Sequence, residues 1–353
     1  KSRYHWITGA FVFRQTINRK VDLSRFTDTT RHLTNSGIPT QGIAFYHQST
    51  LDLLQGLSCS VGLRYDYEHA RCDFSKVQQP LNGNGETKSL EQFNRSLHFG
   101  QFTPKFSMQY LSSHNQLFYA SVSKGYKAGG FNVSFLNNDD YLYSPEYNWN
   151  YEIGTKLSFL NNRLSADLSL FYIDWRNQQI TNTIPTVGNV IRNAGRSRNK
   201  GIEASFQARP TKSWMMYMNY GYTDARFVHY QKEERGILKD YGGNYLPMVP
   251  RHTFSLTTGY SFYDICSWID RLTLNAGVSV TGPIYWYEDN QAKQSPYALV
   301  NLRISINKGC FTWEAWSKNL TNTDYLSYYF VTSKAYAQKG KPITLGTSVS
   351  ISL

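Results

Sequence analysis

The sequence predicts an all-β fold: a transmembrane antiparallel β-barrel contributing about 14 strands. Three observations carry this. Apolar and small polar residues alternate with a period of two along most of the chain, as in Thr344–Leu353, where Leu345, Val349, Ile351 and Leu353 share one face and Thr344, Gly346, Ser348, Ser350 and Ser352 the other. The alternating runs are about ten residues long, the length of a tilted strand crossing a bilayer. Short and long connections also take turns along the chain. A barrel puts tight turns at one end and long loops at the other, with lipid on its apolar face and a wet lumen on its polar face. A soluble β-sandwich has no reason to collect all its long loops at one end.

Strands are expected at 4–17, 40–53, 56–70, 99–111, 115–124, 147–160, 163–176, 199–210, 213–226, 251–263, 270–282, 297–308, 310–318 and 343–353. Leu57, Cys59, Val61, Leu63 and Tyr65 alternate with Ser58, Ser60, Gly62, Arg64 and Asp66. Tyr151, Ile153, Thr155, Leu157 and Phe159 alternate with Glu152, Gly154, Lys156 and Ser158. Ile202, Ala204 and Phe206 alternate with Glu203, Ser205 and Gln207, and Leu272, Leu274, Ala276 and Val278 with Thr273, Asn275, Gly277 and Ser279. Short turns fall at 54–56, 112–115, 161–163, 210–212, 264–269 and 308–309, most with the Gly, Asn or Pro that tight turns need. Long loops are expected at 18–39, 71–98, 125–146, 177–198, 227–250, 283–296 and 319–342. No convincing amphipathic helix is found.

The 353 residues include 27 Tyr, 20 Phe and 8 Trp, and the mean hydropathy is −0.49. Many aromatics fall at strand ends, including Tyr65, Tyr67, Tyr147, Trp149, Tyr172, Trp175, Trp214, Tyr222, Tyr260, Phe262, Tyr285 and Trp286, where rings with one wet edge suit the headgroup zone. No apolar run approaches the roughly 18 residues of a transmembrane helix. The net charge is +12, but there is no basic helix, zinc-finger spacing or RNA-binding aromatic motif, so a nucleic-acid partner is not expected. The cations read instead as a wet surface, or as attraction to anionic lipid headgroups or an anionic ligand. Cys59, Cys72, Cys266 and Cys310 show no CxxC spacing, which speaks against a disulfide framework or a metal site. The opening residues already read as a strand and not as a signal peptide, so the expectation is that a signal was removed or that the sequence begins partway through a longer precursor.

Several stretches resemble the C-terminal barrel half of TonB-dependent outer-membrane receptors. They are "SVSKGYKAGGFN" (121–132), "YSPEYNWNYEIGTK" (143–156), "SLFYIDWRNQQI" (169–180), "RNAGRSRNKGIEASFQARP" (192–210), "VPRHTFSL" (249–256), "SKNLTNTDY" (317–325) and the closing strand. Each is weak alone; their order and spacing over 115–353 make the resemblance. It implies that residues 1–353 form the C-terminal portion of a 22-stranded barrel whose N-terminal plug and first strands are absent from this chain. The implied function is active import of a scarce nutrient across the Gram-negative outer membrane, foremost an iron–siderophore complex, with haem or cobalamin as further options. It also implies partners: the TonB–ExbB–ExbD energy-coupling complex, acting through the missing N-terminal part, the lipid bilayer with lipopolysaccharide, and a small-molecule ligand. Alternatives are a passive channel or porin of about 14 strands and, without any positive motif, a barrel enzyme or adhesin.

Candidate ligand contacts are Tyr126, Lys127, Phe131, Tyr141, Tyr143, Trp149, Arg192, Arg196, Trp286 and Tyr328, chosen as loop-tip aromatics or as members of a basic cluster. Each has a plainer reading. Gly125, Gly129 and Gly130 let the chain bend off a strand, and Arg192, Arg196, Arg198 and Lys200 suit a wet loop or a lipopolysaccharide contact. Glu152 and Glu203, beside Lys156, Arg209 and Arg303, suggest ion pairs along the lumen wall. The resemblance assigns Thr344, Gly346, Val349, Ile351 and Leu353 to an outer-membrane insertion signal, although family members usually finish on an aromatic residue. None of the eight His has a partner at metal-ligand spacing, and no GxSxG, HExxH or Ser–His–Asp set is recognised, so no metal, cofactor or catalytic residue is expected.

Overall fold

The structure, a computed structural model, describes residues 3–24, 29–81, 85–135, 137–184, 187–193, 195–234, 237–331 and 334–352. The side chains of 183, 233 and 234 are not described. Fourteen strands form one sheet: β1 (Tyr4–Leu23), β2 (Thr30–Leu54), β3 (Leu57–Pro80), β4 (Lys88–Leu111), β5 (Leu117–Lys127), β6 (Glu146–Phe159), β7 (Leu164–Arg176), β8 (Arg196–Ala208), β9 (Trp214–His229), β10 (His252–Cys266), β11 (Ile269–Thr281), β12 (Tyr297–Lys308), β13 (Phe311–Lys318) and β14 (Thr344–Ile351). Each pairs antiparallel with its neighbours in sequence. Among the described residues, β1 and β14 pair on one side only. No described helix is long and apolar enough to cross a membrane.

The expected strands are present, with one correction. The loops expected at 18–39 and 71–98 are mostly strand: β1 to β4 run for 20 to 25 residues each as two long ribbons, with connections at 24–29 and 81–87. Backbone pairing continues there after the apolar alternation that marks a lipid-immersed strand has stopped. The other long connections carry small hairpins, such as Gln179–Ile184 with Gly188–Asn193 and Leu326–Val331 with Ala335–Lys339. One holds a single 3-10 turn, Asn138–Tyr141.

Register sorts the side chains. Val61 stands opposite Ser49 and Phe106, Ile153 opposite Ala120 and Leu170, and Leu170 opposite Ile202. On β14, Val349 stands opposite Trp313 and Ile351 opposite Phe311, on the same face as Leu345. These apolar side chains are exposed, Leu345 at 71% and Val349 at 67%. A row of exposed aliphatics this long has no place in water. The opposite face is Ser, Thr, Asn and Gly, with aromatic rings lying over the glycines. A Cβ on Gly346 would fall 2.2 Å from the Trp316 ring, and one on Gly154 2.6 Å from Tyr119. Gly346 of the expected insertion signal thus has a steric role. Leu353 lies outside the described residues.

The tight turns use left-handed backbone. Between β12 and β13, Gly309 has φ +54°, and Asp270 holds that turn by accepting from Gly309 N (2.8 Å) and Lys308 Nζ (2.7 Å).

Candidate functional site

At the long-loop end, the sheet changes character. In its lower part, β3 turns Val61, Leu63, Tyr65 and Tyr67 to the apolar face. Higher up, Ala70, Cys72 and Phe74 lie on the opposite face, and Cys72 is 0% exposed. Strand β9 does the same: Tyr220 and Tyr222 share the apolar face with Ala204 and Ile202, while Ala225 and Phe227 are buried on the other. The upper inner surface is therefore an apolar wall, and the loops pack on it.

Two loop units result. In the first, Phe131 joins Ala70, Cys72 and Phe74, with Phe93, Leu97 and Phe135 around them. Tyr141 stacks on Phe93 at 4.8 Å and meets Phe135 edge-on at 4.3 Å, under the Arg95 guanidinium. Its hydroxyl donates to Glu91. Burial, and then that hydrogen bond, push the Tyr141 phenol up to about 12. The hairpin 179–193 is fastened alongside. Asn132 Nδ2 donates to Ile191 O and Asp140 O, both at 2.8 Å, and Ile191 N donates back to Asn132 Oδ1. Arg192 grips Asp140 with two parallel bonds of 2.8 and 2.9 Å, the geometry that makes arginine–carboxylate pairs strong. The second unit packs Ala225, Phe227, Tyr230, Tyr241 and Leu246 together. Beside it, Arg226 and Arg251 flank the Tyr245 ring at 4.0 and 4.8 Å.

The structure thus brings Phe131, Tyr141 and Arg192 into one unit. Tyr143 is next to it, its ring lying where a Cβ on Gly130 would be. Lys127 faces Glu146 at 3.8 Å, and the Tyr126 ring lies tilted against Tyr147 with a centroid separation of 5.8 Å. Trp286 and Tyr328 meet edge-on at 6.4 Å in a separate aromatic group with Tyr287, Tyr329, Phe330 and Tyr336. Trp149 and Arg196 are elsewhere. Trp149 stands opposite Lys124 and Asp174, on the face of Tyr151 and Ile153. Arg196 is on that same outer side and donates to Asp174 at 2.5 Å. The basic cluster of the sequence is therefore split between the two faces.

The expected ion pairs of the lumen wall take a different form. Glu152 accepts from the Tyr119 hydroxyl at 2.6 Å, and Arg303 faces Glu314 at 3.8 Å. A groove of 650 Å³ runs along this polar wall, lined by Thr257, Asn275, Asn301, Arg303, Trp316 and Lys318 among others. Glu91, Phe93 and Asp140, which hold the first loop unit, were not singled out by sequence; the alternation Cys72–Phe74, out of phase with Val61–Tyr67, was the available signal.

Residues 4–322 match the family described as TonB dependent receptor-like, beta-barrel. The chain belongs to that family. It is part of an outer-membrane, multi-pass β-barrel, and the exposed aliphatic rows are its lipid face. The chain is 24% identical over 354 residues to the pesticin receptor of Yersinia pestis, an alignment covering 96% of this chain and 48% of that protein. It is 26% identical over 241 residues to a probable TonB-dependent siderophore receptor, PiuA, of Acinetobacter baumannii, covering 64% of this chain and 30% of that protein. The crystal structure of the ferric yersiniabactin uptake receptor FyuA of Yersinia pestis superposes with a TM-score of 0.76 at 17% identity, over 99% of this chain and 56% of that one. The chain spans about half the length, or less, of the curated relatives it matches.

Proposed function

We propose that this chain is the C-terminal portion of the barrel wall of an active importer for iron–siderophore complexes. The observation that carries the reading is a receptor-family sheet whose upper inner face is built to hold loops over a polar wall. In the proposed receptor, eight further strands join β1 to β14 and complete 22, and a plug fills the lumen. Edge strands that, among the described residues, pair on one side only suit that arrangement better than a self-closed fourteen-stranded channel. Relatives support the substrate class: PiuA is described as a siderophore receptor, others as ferrichrome or ferric-pyoverdine receptors.

In this reading the barrel does no covalent chemistry. Ligand is gripped at the long-loop end by the accessible candidates Tyr126, Lys127, Tyr143 and Tyr328. Phe131, Tyr141 and Trp286 are buried in the loop packing and Arg192 is held by Asp140, so these last four support the loops instead. Aromatic faces suit the flat or catecholate parts of such ligands, and cations suit their charge. Energy reaches the plug from the TonB–ExbB–ExbD complex. The test is growth rescue of a receptor-deletion strain on a panel of ferric siderophores, haem and cobalamin, with and without TonB. TonB-dependent rescue on ferric siderophores is expected. Rescue that persists without TonB, together with leakage of small solutes, favours a passive channel and overturns the reading.

A further inference from the structure

No two histidines have metal-ligand spacing along the chain, but the sheet brings two together. His69 on β3 stands directly opposite His98 on β4. Their imidazole rings are 4.5 Å apart, centroid to centroid, and within 11° of parallel. Among the described residues no other histidine stands opposite a histidine. The Tyr67 hydroxyl is 3.0 Å from His98 Nδ1. In the tautomer with its proton on Nδ1, His98 donates to the phenol oxygen and keeps the Nε2 lone pair for a metal. Such a contact on the other ring nitrogen is what orients a ligating imidazole. The His69 ring makes no hydrogen bond among the described residues.

Both rings are on the outside of the wall. Along β3 one face reads Val61, Leu63, Tyr65, Tyr67 and His69 in steps of roughly 7 Å, so the pair lies one step above the last aromatic of the lipid face. His98 is exposed and His69 half-buried, so water and ions reach them. The loop units pack on the opposite face, which keeps the pair apart from the candidate ligand contacts. Gln41 flanks His69 on β2, and Arg14 on β1 is two strands away, roughly 10 Å, where water and salt screen it. Arg71, the next step up, is held by Asp73 at 2.9 Å. Among the described residues no third His, Cys, Asp or Glu completes a metal cluster, so the remaining coordination positions are open to water. The setting on β4 also matters. From Lys105 to Leu111 it pairs with β5, but from Lys88 to Pro104 it is held, among the described residues, by β3 alone. Pro104, with no N–H to give a ladder, stands where the β5 pairing stops.

We propose that His69 and His98 form a two-imidazole site for a divalent transition-metal ion, copper or zinc, which ties β4 to β3 where β5 no longer supports it. Imidazole nitrogen suits both ions, and copper binds ahead of zinc at a given site. Directly opposite residues have Cβ atoms about 5 Å apart, so two parallel rings reach one ion by side-chain rotation without moving the backbone. The inference rests on register and ring geometry and not on the transport reading, so failure of the import assay leaves it standing.

The test is titration of the whole detergent-solubilised protein with Cu²⁺, read by pulsed electron paramagnetic resonance, which counts the imidazoles on the ion. The tightest site is expected to show two. His69→Gln and His98→Gln should each weaken it by about tenfold or more. His252→Gln should leave it unchanged: His252 also has a tyrosine hydroxyl, that of Tyr220, at 3.0 Å, but stands opposite Tyr222 instead of a second histidine. Zn²⁺ at about tenfold excess over its dissociation constant should slow amide exchange in 88–104 about tenfold in the wild type and not in His98→Gln. A wild-type copper spectrum with one imidazole or none overturns the proposal, whether or not any variant folds. So does wild-type affinity in His69→Gln or His98→Gln, or a loss in His252→Gln as large as theirs. Exchange in 88–104 that ignores bound zinc overturns the tie between the strands.

Discussion

The lower and upper stretches of the same strands are opposites. Between Val61 and Tyr67, β3 turns its apolar side chains outward; between Ala70 and Phe74 it turns them inward. Strand β9 reverses between Tyr222 and Ala225. The backbone and its hydrogen bonds run through the reversal without a break on β3. What changes is the medium on each side. Below, oil is outside and water inside; above, water is outside and packed loops are inside. Hydrophobic burial follows the medium, so the alternation keeps its period and shifts its phase. A period of two identifies a strand, and its phase reports which side is dry.

Substitutions can break or sharpen this contrast. The largest effect is expected for Phe227→Ala, which empties the centre of the upper inner wall. A loss of about 3–5 kcal/mol in that loop unit follows from large-to-small core changes, seen as faster limited proteolysis in 230–251 with the barrel intact. Leu170→Arg attacks the lower outer face and should cost about 2–4 kcal/mol in urea unfolding from lipid vesicles, since a charge would meet hydrocarbon. An unchanged midpoint would mean that the outer face of β7 is wet. Gly346→Ala probes the lower inner face, where the new methyl meets Trp316; about 1–3 kcal/mol and slower membrane assembly are expected.

Alkaline pH probes the upper unit alone. The Tyr141 phenol titrates higher in the folded protein than its ordinary 10.0, so its contribution is complete below pH 10 and is lost as pH rises toward about 12. Amide exchange in the segment around Tyr141 should speed up over that window, and Tyr141→Phe should remove the pH dependence. The smallest effect belongs to Ser96→Glu. It lies on the outer face like Leu170 but beside Arg71, above the oil, and its unfolding midpoint should be unchanged. A penalty like that of Leu170→Arg would place hydrocarbon at that height and break the comparison.

Much of the wall was legible in sequence because a strand bathed by lipid on one face must alternate over about ten residues, and most of the tight turns use Gly, Asn or Pro. Family membership was legible for a different reason: the segments "YEIGTK" and "RNKGIEASF" keep their order and spacing. The ribbons of β1 to β4 were not, because above the lipid no single face has to be apolar, and the signal for a strand weakens while its pairing continues. The candidate contacts were partly legible. Aromatic loop tips stand out, but whether Arg192 and Arg196 share a face depends on register across strands far apart in sequence.

The sequence by itself determined the strand count, the turn positions and the face turned to lipid, since each follows from local periodicity and local backbone preference. Tertiary structure alone decided that Arg192 turns inward to Asp140 while Arg196 turns outward to Asp174. It also decided that Phe131 and Tyr141 are walled in by β3 and β4. Those outcomes depend on which residues stand opposite one another, and cross-strand pairing is a property of the assembled sheet that no single stretch of chain contains.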